Sequence, residues 1–63
     1  MYEILEEQIQ TVIDRFGYKQ EDKEKLFNLV VDEYEDCGDD PCDAEIIDIV
    51  EIAQASGLEP KDD

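Results

Sequence analysis

Apolar residues recur at helical spacing in three runs along the chain. In the first, Leu5, Ile9, Val12, Ile13 and Phe16 fall within a sector of about 100° on a helical wheel. Glu3, Glu7, Gln10 and Asp14 fall opposite. In the second run, Leu26, Phe27, Val30, Val31 and Tyr34 share one face, with Asp32 and Asp36 almost opposite and Glu33 and Glu35 on the flanks. Leu29 falls on the polar side, between Asp36 and Glu33. It reads either as a single exposed leucine, which is ordinary, or as the apolar anchor of a binding patch. Tyr34 is a second candidate anchor, although its position favours the core. In the third run, Ile46, Ile47, Ile49, Val50, Ile52 and Ala53 cover about 220° of the wheel and leave Glu45, Asp48 and Glu51 a narrow strip.

Glycine and proline mark the ends of these runs. Gly17, Gly38 and Gly57 each follow an apolar periodic stretch, where a left-handed residue ends a helix. Pro60 prevents resumption of the third run. Asp40-Pro41-Cys42-Asp43 reads as a helix start: Asp40 as N-cap, Pro41 at the first helical position and Asp43 as favourable charge in the first turn. The pattern predicts an all-α fold, a small three-helix bundle with helices over about 2–16, 20–37 and 41–56. It assigns residues 1–58 to a single helical domain and 59–63 to a loose C-terminal tail. The third helix has more apolar surface than two neighbours need. A central position in the fold and a homodimer seam both account for it.

Composition narrows the function. Of 63 residues, 20 are Asp or Glu and five are Lys or Arg, giving a formal net charge of −15. That surface is the reverse of what phosphate contacts require, so direct nucleic-acid binding is not expected. No apolar run approaches the ~20 residues of a membrane span. Met1-Tyr2-Glu3 offers no cationic region of a signal peptide. The expectation is a cytoplasmic protein. The charge is also uneven. Residues 1–25 carry the bases Arg15, Lys19, Lys23 and Lys25 and a net charge of −3, whereas residues 26–60 carry eleven acids and no base. Between Asp32 and Glu45 lie eight carboxylates. Solubility of a small domain is served by a net charge of magnitude about 2–8, so this density calls for another reason.

A calcium loop does not supply it. With Gly38 at the sixth position of an EF-hand loop, the fifth would be Cys37 and the twelfth, bidentate position Ala44. An acyl carrier attachment site is also missing, because Ser56 lies in Ala55-Ser56-Gly57-Leu58 without a preceding Asp. No metal or other cofactor is expected. Carboxylates at i, i+3, i+4 and i+7 of a helix stand about 5–6 Å apart, close to the spacing of phosphates along a strand. In size and charge the chain resembles small acidic phage-type inhibitors that imitate nucleic acid: anti-CRISPR, antirestriction and antirepressor proteins. The resemblance implies a stoichiometric inhibitor without chemistry of its own.

The charged face assigned to such a role comprises Asp32, Glu33, Glu35, Asp36, Asp39, Asp40, Asp43, Glu45, Asp48 and Glu51, with Leu29 as apolar anchor. The partner would be a basic surface of a nucleic-acid-processing protein or complex. The alternative is a helical assembly or adaptor module that associates through the apolar face of the third helix, its acids serving solubility. Cys37 and Cys42 flank the second turn and are a candidate disulfide, against the simpler reading of two free thiols. With no histidine in the chain, neither a Ser–His nor a Cys–His arrangement can form. A non-enzymatic protein is expected.

Overall fold

The first run of alternating apolar and acidic positions forms α1 (Glu3–Phe16). Glu3 and Glu6 lie in its first turn and Arg15 in its last, each sign favourable to the helix dipole. Gly17 ends it at φ 82°, donating its N–H to the Ile13 carbonyl at 2.9 Å. After a 3-10 turn at Gln20–Asp22, the chain enters α2 (Lys23–Cys37). A further 3-10 turn at Pro41–Asp43 leads to α3 (Ile46–Ala55). The computed structural model describes residues 2–60.

These elements make the three-helix bundle that the pattern predicts, with each helix packed on the other two. Leu5, Ile9 and Val12 of α1 meet Leu26 and Val30 of α2 and Ile49 of α3, and all six are fully buried. The radius of gyration is 10.7 Å, within the range of about 10–11 Å for a compact chain of this length.

Two caps close the ends of α2 and α3 in the same way. Gly38 donates to the Glu35 carbonyl and Asp39 to the Tyr34 carbonyl, at 3.1 and 2.8 Å. At α3, Gly57 donates to Gln54 and Leu58 to Ala53, at 3.1 and 2.9 Å. Both are the paired bonds of a Schellman cap. The second cap returns Leu58 to the core, where it is buried.

The structure corrects several expectations. The third helix does not start at residue 41. Asp40 does cap, its Oδ1 accepting from the Cys42 N–H at 3.0 Å, but it caps only the short 3-10 turn. Ala44 and Glu45 are then extended, at ψ 131° and 166°. That break drives Pro41 and Ala44 into the interior, and burial of both outweighs a continuous helix. In the same way, Gln20–Asp22 is a 3-10 turn rather than the first turn of α2. Phe16, expected in the core, is exposed. The reversal at Gly17 buries Tyr18 in that region instead. Leu29 is half-buried against the core rather than exposed. The tail expected over 59–63 is described only at Glu59 and Pro60, both exposed and outside any helix, and residues 61–63 lie outside the described residues.

Candidate acidic interface

Four of the candidate acids lie on the C-terminal half of α2. Asp32, Glu33, Glu35 and Asp36 are exposed and spread over about 160° of the helix circumference. Asp32, Glu33 and Asp36 border one shallow open depression on its outer side. Asp39, Asp40 and Asp43 follow in the turn, and all three are exposed. Glu45 precedes α3, Asp48 lies half-buried in its first turn, and Glu51 lies exposed one turn further on. The carboxylates therefore wrap around one end of the bundle instead of forming a flat face.

Two tyrosines gather part of this set. Tyr34 of α2 donates its hydroxyl to Asp48 Oδ2 of α3 at 3.1 Å. Burial and that bond raise its pKa, and the charges of Asp48, Asp39 and Glu45 raise it further. Of the three, Asp48 is the one bonded to the hydroxyl. Tyr2 donates to Glu35 Oε2 at 3.2 Å and packs edge-on against Phe27, with ring centroids 5.8 Å apart. Its pKa is raised first by the Glu35 bond, then by burial, with Glu35, Asp40 and Cys42 adding to the effect. Tyr2 thus ties the α1 start to Glu35 of α2. Sequence reading assigned Tyr2 no role, and only its aromatic character next to a helix start hinted at one.

Among the described residues, the bonds that hold these acids come from neutral donors: two phenols and the Cys42 amide. The bases Arg15, Lys19, Lys23 and Lys25 belong to the other end, where α1 finishes and α2 begins. A 15-residue helix such as α2 is about 22 Å long, so the two ends are well separated. The last turn of α2 carries no base. Its acids face the negative end of the helix dipole, an arrangement that costs about 0.3–1 kcal/mol per charge.

Leu29, the candidate apolar anchor, is half-buried and packs against the core. Cys37 is exposed and Cys42 half-buried, and both are free thiols, so the candidate disulfide is not formed. Among the described residues, no group of three acids or cysteines is placed to hold a metal ion, and no helix is long and apolar enough to cross a membrane. A surface depression of about 560 Å³ lies away from the acidic end and includes Glu6, Lys23 and Phe27 in its lining. It is wide open to solvent and offers no enclosed site.

In comparisons with known proteins, no family model matches the chain, and no match was found to a curated protein or to a solved structure.

Proposed function

We propose that this protein is a non-enzymatic acidic inhibitor, acting in the cytoplasm, that occupies a basic nucleic-acid-binding surface of a partner. This is the mode of anti-CRISPR and antirestriction proteins that imitate DNA or RNA. The observation that carries the reading is the C-terminal end of α2. Its acids oppose the helix dipole, have no base in the last turn and continue into the acids of the next turn and α3. Folding alone gains nothing from that placement. A cationic groove would gain from it through fast, steered association and competition with nucleic acid.

The test is capture of partners from host lysate at low and high salt, followed by competition with DNA and RNA. Affinity falls steeply with salt, nucleic acid competes, and reversal of both Asp36 and Asp40 to Lys abolishes binding. A partner held equally well by the double variant and at high salt refutes the reading. One observation favours the alternative of an assembly module: Ile47 of α3 is 68% exposed. Association that persists at high salt and is lost in Ile47→Asp would support that alternative.

A further inference from the structure

α3 sends two of its isoleucines in opposite directions. Ile49 is fully buried, whereas Ile47 is 68% exposed. Val50 and Glu51 lie at i+3 and i+4 from Ile47, so all three adjoin on the helix surface. On α1, Ile4 is 60% exposed. It stands one turn before Gln8, whose amide donates to the Ala44 carbonyl at 3.4 Å, three residues ahead of Ile47. The charge that adjoins each isoleucine on its helix surface is an acid: Glu51 at i+4 from Ile47 and Glu7 at i+3 from Ile4. No lysine or arginine occurs from Leu26 to Pro60.

An exposed apolar side chain beside a carboxylate has a counterpart in nucleic acid. A duplex shows a groove partner mainly its phosphates, with base faces stacked inside. A single strand shows unstacked bases between phosphates, and its binding proteins answer with a cationic groove lined by aromatic side chains. We infer that the Ile47 face docks into a groove of that second kind, with Ile47 against an aromatic side chain and the flanking acids against its lysines or arginines. This rests on the acidic-inhibitor reading above and specifies its partner. A second copy of the chain fits poorly, because a symmetric contact would set acids against acids on two molecules of net charge −15.

The experiment titrates the full chain with two fluorescent peptides of equal length and charge, one alternating lysine and tryptophan, the other lysine and alanine. The lysine–tryptophan peptide binds about tenfold more tightly, the scale of burying one apolar side chain. Ile47→Asn removes that preference without lowering the melting temperature. Phe16→Asn, beside Arg15 at the other end of α1, retains it. Equal affinity of the two peptides for the parent protein, or a preference that survives Ile47→Asn, overturns the inference. If both peptides bind equally and only at low salt, the inference falls and the acidic-inhibitor reading stands. If neither binds at low salt, both fall. A dimer that forms at high salt and is lost in Ile47→Asn identifies a second copy as the occupant and also overturns it.

Discussion

The Tyr34 hydroxyl spans the seam between α2 and α3 to reach Asp48 Oδ2 at 3.1 Å. Both residues are half-buried, and the bond joins the end of one helix to the start of the next. A hydrogen bond to a charged group contributes about 1.5–3 kcal/mol. Asp48 can regain water, so Tyr34→Phe should cost less, about 1 kcal/mol, in urea unfolding. Asp48→Asn keeps an acceptor and should cost less again. A Tyr34→Phe variant as stable as the parent would show that this bond does not hold the seam.

Tyr18 makes the opposite case. Its hydroxyl is buried and has no hydrogen-bond partner among the described residues. Replacing it with Phe keeps the ring and removes the stranded group. Tyr18→Phe should therefore be neutral or stabilising, by up to about 1 kcal/mol. A loss of stability of that size would reveal a partner for the hydroxyl.

The three tyrosines make the fold sensitive to alkali. Tyr34 and Tyr18 are raised above the ordinary 10.0 chiefly by burial, and Tyr2 chiefly by its bond to Glu35. Each hydroxyl therefore holds its proton more tightly folded than unfolded. Their contribution to stability is fully present below pH 10.0 and is lost as pH rises through the raised values. Phenolate absorbance should appear at higher pH in the native protein than in urea, with unfolding free energy declining over the same range. Identical titration curves in the two states would contradict this.

Salt should stabilise the protein. With −15 charges on 63 residues, self-repulsion is a large opposing contribution, and screening weakens it. Raising NaCl from low to physiological strength and above should lift the melting temperature by several degrees, about 1 kcal/mol in a domain of this size. Asp36→Lys should raise it too, by placing a cation at the carbonyl end of α2. A melting temperature indifferent to both changes would mean that the acids stand too far apart to repel.

Much of the architecture was legible in the residues because its signals are local. The stripe Leu5, Ile9, Val12, Ile13 defines α1 by itself, and Gly17 and Gly38 stop their helices at the left-handed positions expected. The departures arise where tertiary burial competes with local preference. Pro41 after Asp40 looks like an ordinary helix start, but the interior takes Pro41 and Ala44 and splits the segment in two. Phe16 fits the α1 stripe, yet the turn at Gly17 buries Tyr18 and leaves Phe16 at the rim. Of the candidate interface, the composition of the acidic stretch was readable. The tyrosine clamps were not, because each joins residues 14 or 33 positions apart.

The bases gathered where α1 meets α2, and the acids at the opposite end, give the molecule a permanent electric polarity. In the field of a cationic body it will experience torque before it touches anything. An approaching groove would then find the α2–α3 corner already turned toward it, so that few collisions are wasted on the wrong side.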